Sequence, residues 1–317
     1  MAKQAGLPRN TARPAEPRFR AYDPLPPQYR RIPAFRLELM SGRNGVPVVL
    51  FGIGFIAANS SFSAAAEQAQ QPAFVCIGET IARGLSNRVI DGRTFVLDDG
   101  REVRLAAIEV PPLSSSAGAE PQGAATRDAL AGLLQGSEVV LRQAEPQKAD
   151  RYGRLVAYAF TTREGVDHSG QADLIAAGRA RVAARVGNRA CAAELLGREA
   201  AARRAELGLW ANSYYHLLNA DNPADVLAEQ GHFALVEGKV VSVRESGAAI
   251  YVNFGRRWST DFTVTILKRN ARNFTAAGLE PKTLTGRRVR VRGWIEERGG
   301  PWIEASRPEQ IELTDRQ

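Results

Sequence analysis

Short runs of β-branched and aromatic residues, cut by turn dipeptides, dominate two long stretches of this chain. In the first, Asp91-Gly92 and Asp99-Gly100 bracket such a run and mark a hairpin. The pattern predicts strands near residues 79–90, 94–98, 102–109, 138–144 and 155–161. A helix is expected near 121–134, after the small-residue stretch Ser114-Ser115-Ser116-Ala117-Gly118. The alanine- and arginine-rich residues from Leu174 to Leu207 read as helix, interrupted around Gly187-Asn188.

Residues 212–231 read as a connector in which Asn222-Pro223 opens a short helix. A second β-rich unit then occupies 232–315. Its strands are expected at Leu235–Val243, Ala249–Phe254, Thr260–Ile266, Arg288–Ile295 and Trp302–Glu304, with an edge at Gln310–Leu313 and a helix at Lys268–Ala277. Five strands with a helix between the third and fourth follow the plan of an OB-fold, a barrel often used for single-stranded nucleic acid. Arg256, Arg257, Trp258, Arg287, Arg288, Arg290, Arg292, Trp294 and Trp302 would then form a basic, aromatic face. The alternative is that the tryptophans fill or cap the barrel while the arginines lie on solvated strand faces, offset by Glu296, Glu297, Glu304 and Glu309.

A chain of 317 residues is long enough for two modest domains and a tail. Its 44% hydrophobic and 24% charged content is ordinary for a soluble globular protein. The net charge of +8 suggests nucleic acid until it is divided along the chain. Residues 1–39 hold eight Lys/Arg and three Asp/Glu, Arg43 is the only charge from 40 to 66, and 67–317 carry 33 basic and 31 acidic residues. The basic excess therefore belongs mostly to the leader and says little about partners.

Residues 1–39 contain seven prolines and no apolar periodicity, so they are expected to be a disordered extension or a mis-assigned start ahead of Met40. From Met40 the text changes. Arg43 precedes an uncharged, mainly apolar run, Val46–Ala58, and small residues lead to Ala64-Ala65-Ala66. This is the layout of a secretory signal peptide, and the run is short for a membrane span, which needs about 20 residues. Segment 40–66 is therefore expected to direct export to the periplasm or beyond the cell, leaving no stable membrane span after cleavage ahead of Glu67. The alternative is an uncleaved anchor at 46–58 with the arginine-rich tail in the cytoplasm. Cys76 and Cys191 both fall in the mature chain, where an oxidising compartment permits a disulfide. Buried free thiols are the alternative.

Candidate chemistry concentrates in Asn87–Pro112. Arg104 lies between Val103 and Leu105 on the return strand of the hairpin, and a guanidinium among apolar residues needs a partner or a ligand. Glu109 leaves that strand just before the rigid Pro111-Pro112. An acidic turn, an in-strand arginine and a strand-end carboxylate suit a phosphate-handling site, or equally a barrel strand with a salt bridge. Farther on come Asp150-Arg151-Tyr152-Gly153-Arg154, the strand-like Leu155–Phe160, and Gly208-Leu209-Trp210. Taken with VIDGRTF, VRLAAIEVP and GAEPQGAATRDALAGLL, residues 74–211 resemble the staphylococcal nuclease (thermonuclease) family. The resemblance implies a mainly β domain with helices (α+β), a five-stranded OB-type barrel with three helices, and in active members calcium-dependent cleavage of phosphodiesters.

It also implies roles. Arg104 and Arg154 fall on the family's phosphate-binding arginines. Glu109 falls on one metal-binding aspartate, Val110 on the residue whose carbonyl holds the metal, Arg93 on the other metal-binding aspartate and Pro112 on the catalytic glutamate. Calcium wants six to eight oxygen ligands, and a guanidinium beside it repels it by several kcal/mol at ~4 Å and an effective dielectric of about 20. Pro112 cannot accept a proton. The expectation is thus a catalytically weak or inactive thermonuclease-like protein. It would bind a phosphodiester, single-stranded nucleic acid, nucleotide or other anion through Arg93, Arg104 and Arg154, with no cofactor unless calcium and activity are retained. Asp91 and Glu109 are the only metal-ligand candidates. Neutralisation of the three arginines by Glu109 and Asp91 in an internal salt-bridge cluster stands beside the anion reading. Two further alternatives are a working phosphodiester hydrolase using Glu109 and Glu120 with an altered metal, and a non-enzymatic module of two barrels that binds a protein partner. His168, His216 and His232 lack metal-ligand spacing.

Overall fold

The computed structural model describes residue 76, residues 78–113 and residues 120–314. The expectations for 1–39 and 40–66, and the side chain of Glu120, lie outside what is described.

The first unit comprises β1 (Thr80–Asp91), β2 (Thr94–Leu97), β3 (Glu102–Leu105), β4 (Ile108–Glu109), α1 (Glu120–Leu134), β5 (Glu138–Gln143), β6 (Leu155–Arg163), β7 (Val166–Ser169), α2 (Gly170–Ala176), β8 (Arg181–Val182) and α3 (Arg189–Arg204). Strands run β3-β2-β1-β5-β6, and parallel pairing of Val103 with Leu155 closes them into a five-stranded barrel. Phe95, Leu97, Val103, Leu105, Leu130 and Leu141 fill it, so the alternate residues of β3, Glu102 and Arg104, face outward. Cys76 and Cys191 form a disulfide, with Cα atoms 4.4 Å apart, that ties the approach to β1 to the first turn of α3.

Three elements differ from the sequence expectation. The strand expected at 102–109 ends at Leu105; Ala107 takes φ 64°, and β4 leaves the barrel to pair Ile108 with Val182 of β8. The helix expected from Leu174 to Leu207 is two helices separated by an extended segment. Gly178 ends the first with φ 64°, where a Cβ would sit 2.1 Å from the Leu207 carbonyl oxygen. Asn188 then caps the second, its Oδ1 accepting from the backbone N–H groups of Ala190 (2.8 Å) and Cys191 (3.2 Å). Helix propensity yields there to the edge that β4 needs. Finally, β7 adds to β6 through the Glu164-Gly165 turn, where both residues have positive φ, 50° and 77°.

The connector holds β9 (Leu218–Asn219) and α4 (Pro223–Ala228). The second unit follows as β10 (Phe233–Lys239), β11 (Ser242–Ser246), β12 (Ala249–Asn253), β13 (Thr263–Leu267), α5 (Lys268–Ala276), β14 (Arg288–Trp294), β15 (Glu296–Arg298), β16 (Gly300–Glu304) and β17 (Ile311–Leu313). The strand expected at Leu235–Val243 breaks at Val240-Val241. Val240 donates to Arg287 O and Val241 to Asn253 O, so the chain passes from the sheet β17-β14-β10-β9 to the sheet β11-β12-β13-β16-β15. With α5 after β13 and parallel pairing of β13 with β16, this is an OB-like barrel around Val236, Ile250, Phe262, Val264, Phe274 and Val291.

A buried ion pair welds the two barrels. Arg292 of β14 and Glu199 of α3 are both fully buried, with Nη2 to Oε2 at 2.7 Å and Nη1 to Oε1 at 3.1 Å. Arg292 Nη1 also donates to Val182 O (3.0 Å), while Glu199 Oε1 accepts from Val182 N (2.7 Å). Two side chains thus complete the open edge of β8, the strand that carries β4.

Candidate functional site

The barrel mouth is built on two turns and the β3 strand. At the β1–β2 turn, Asp91 Oδ1 accepts from the backbone N–H of Arg93 (2.8 Å), and the Arg93 guanidinium donates to Glu109 Oε2. At the turn before β6, Asp150 Oδ1 accepts from the backbone N–H groups of Tyr152 (2.9 Å) and Arg154 (3.1 Å). Its Oδ2 takes Arg154 Nε (2.8 Å) and Nη2 (2.7 Å), a bidentate grip that also fixes the turn. Burial disfavours the Asp150 charge, but the Arg154 hydrogen bond and the two backbone donors outweigh it and hold the carboxyl below its usual range. The Tyr152 ring lies against both arginines, 4.7 Å from the Arg151 guanidinium carbon and 5.1 Å from that of Arg154.

Arg104 is different. It is partly buried, and its guanidinium forms no hydrogen bond or ion pair among the described residues. Burial lowers its pKa from the ordinary value, and the positive fields of Arg93 and Arg154 act in the same direction against Glu109 and Asp150. It therefore keeps an unsatisfied demand for negative charge.

Two cavities meet at Glu109. The larger, about 700 Å³, is lined by Arg104, Tyr152, Arg154 and Val186 of the first barrel and by Trp294 and Glu296 of the second. The smaller, about 430 Å³, is lined by Arg93, Asp91, Pro112 and Arg181 together with Tyr215 and Phe233. Arg104 and Arg154 are thus brought together, while Arg93 opens on the other cavity. No group of three or more His, Cys, Asp or Glu side chains is placed to hold a metal among the described residues. Of the two metal-ligand candidates, Glu109 is engaged by Arg93 and Asp91 by a backbone N–H.

Asp150 escaped the sequence reading of the site, and Arg292, expected on a basic face, is instead buried against Glu199. Asp150, three residues before Gly153 in a turn sequence, had a signal in its type and spacing. For Arg292 nothing in the sequence pointed to its partner, because Glu199 is 93 residues away.

The second barrel divides the basic, aromatic set. Arg290 and Arg292 are buried rather than solvated, and Arg288 and Arg290 pair with Glu237. Trp258 is 75% exposed and caps nothing. Trp302 is buried, donates to Thr265 Oγ1 (2.5 Å) and carries Arg298 at 3.6 Å over its ring. Trp258, Trp302, Tyr251, Arg244, Arg256 and Arg298 line a groove of about 1100 Å³.

The first unit is a closed OB-type barrel with helices packed on it and two arginines, Arg104 and Arg154, lining the cavity at its mouth. Residues 102–212 match the model of the family described as staphylococcal nuclease homologue, so the chain carries a staphylococcal nuclease-like domain. No curated protein matches the chain.

Proposed function

We propose that the domain binds the phosphodiester of a single-stranded oligonucleotide or a nucleotide at the seam between the barrels, and that it is weak or inactive as a calcium nuclease. The observation that carries this is Arg104, a partly buried guanidinium with no ion pair among the described residues, beside Arg154 in a cavity of about 700 Å³. A guanidinium fork matches phosphate oxygens, and binding needs donors and charge rather than a proton acceptor. Arg154, already gripped by Asp150, presents a fixed cation and not a mobile one.

The donor set does not suit calcium. An arginine paired with Glu109 stands where an oxygen ligand is needed, and a hard cation gains nothing from a guanidinium. Pro112 offers no basic atom. No hydrolytic step is derived for these residues, and cleavage through Glu109 and Glu120 with another metal is an outcome of the test.

Fluorescence anisotropy of a labelled oligothymidylate and calorimetry of a nucleoside bisphosphate give the measurement. Binding should be weak, should fall with salt as counterion release is lost, and should weaken at least fivefold in Arg104→Ala. Equal binding by the Arg104→Ala, Arg154→Ala double variant refutes the site. Strand cleavage in calcium, magnesium or manganese that is lost in Glu109→Gln refutes the inactive reading.

We also propose export, supported by the layout of residues 40–66. Intact mass from the native envelope should give a mature start at Glu67. A chain beginning at Met1 in the cytosol would overturn it.

A further inference from the structure

The smaller cavity holds a cation that the proposed phosphodiester site does not use. Arg181 of β8 is held between two rings, its guanidinium carbon 5.2 Å from the Tyr215 ring centre and 5.1 Å from that of Phe233. Such stacking stabilises the charge but leaves the in-plane N–H donors unspent. Arg181 has no hydrogen bond or ion pair from its side chain among the described residues, and its Nε is enclosed without a partner. The carboxylates that reach it electrostatically, Glu199 and Glu109, are committed to Arg292 and Arg93. A partly buried cation left in this state is costly unless something else supplies the negative charge.

The surroundings describe what that something is. The Tyr215 hydroxyl is enclosed and also lacks a partner among the described residues, so Tyr215 serves the cavity as an aromatic wall. Val110, Pro111, Leu218, Ala234 and Trp294 also line the cavity and add apolar surface. Asp91 and Glu229 add negative charge to the lining, but Asp91 accepts from Arg93 N and Glu229 faces His232 at 3.6 Å. At about 430 Å³ the space lies within the range of small-ligand pockets.

We propose that this cavity is a binding site for a small organic anion, a carboxylate or phosphate monoester on a flat apolar body, with its head on the Arg181 guanidinium and its body against Trp294 and Pro111. The two head groups share one chemistry, an oxyanion that accepts from a guanidinium fork.

The test is calorimetric titration of the full chain with benzoate, phenyl phosphate, inorganic phosphate and benzyl alcohol. Benzoate or phenyl phosphate should bind at least tenfold more tightly than either inorganic phosphate or benzyl alcohol, and the tighter of the two identifies the head group. Arg181→Met should lose at least tenfold for that probe, whereas Arg104→Ala should leave it within about twofold, separating this site from the phosphodiester site. If Arg181→Met does not fold, Arg181→Lys, which keeps the charge and loses the fork, should bind several-fold more weakly. No binding by either aromatic anion, equal binding of benzyl alcohol, or unchanged binding in the folded Arg181 variant would each overturn the proposal.

Discussion

Replacing Arg292 by methionine tests how the second barrel governs the first. The substitution keeps much of the side-chain length but removes both hydrogen bonds to Glu199, the bond to Val182 O and the pairing with Glu312. Glu199, fully buried, is left with the Val182 N–H and a contact to Arg203 at 3.5 Å. Breaking a buried pair by removing one partner costs about 3–5 kcal/mol, because the surviving charge stays desolvated. The pH dependence identifies the cause. In the parent chain burial opposes the Glu199 charge, but Arg292 and the hydrogen bonds outweigh it, so its folded pKa lies below the ordinary value. A depressed carboxyl contributes stability that is present above its unfolded pKa and is lost as pH falls through the folded one. In Arg292→Met burial is countered only by the Val182 N–H and by Arg203, so the folded pKa moves up from its depressed parent value. Acidification then costs the variant less than it costs the parent. The loss should therefore be largest near pH 7 and shrink as pH falls through the carboxylate range. Urea unfolding followed by tryptophan fluorescence measures both, and the double variant Glu199→Leu, Arg292→Met should recover most of the loss. A single-variant loss below about 1 kcal/mol, or a loss independent of pH, would refute the reasoning.

Three further outcomes follow from other contacts. Cys76→Ser should cost about 4–5 kcal/mol through the loop of 115 residues that the disulfide closes, read as a shift in urea midpoint that reductant reproduces in the parent chain. Gly178→Ala should destabilise by more than ~1 kcal/mol, since φ is +64° and the added Cβ meets the Leu207 carbonyl; a neutral result in thermal unfolding would contradict it. Calcium titration should show no tight site, and calcium-dependent DNA cleavage lost in Glu109→Gln would overturn that expectation.

Local chemistry in the sequence was enough for most of the first barrel. Turn dipeptides and alternating apolar residues place β1, β2 and β3 because each is determined within a few residues of itself. The helical expectation for 174–207 failed where propensity met a distant demand: β8 is extended because Ile108 and the Glu199–Arg292 pair hold its two edges, and none of these is near it in sequence. The site divides the same way. Residue type alone marked Arg104 and Glu109, since a guanidinium or carboxylate in or at the end of an apolar strand is conspicuous wherever it lies, whereas Arg154, in the turn before β6, was marked only by the family resemblance. Which arginine is neutralised is a matter of distances between elements. Asp150 takes Arg154, Glu109 takes Arg93, and Arg104 and Arg181 keep unspent donors among the described residues. Ion pairing depends on separations of a few ångströms across the fold, and only tertiary packing sets them.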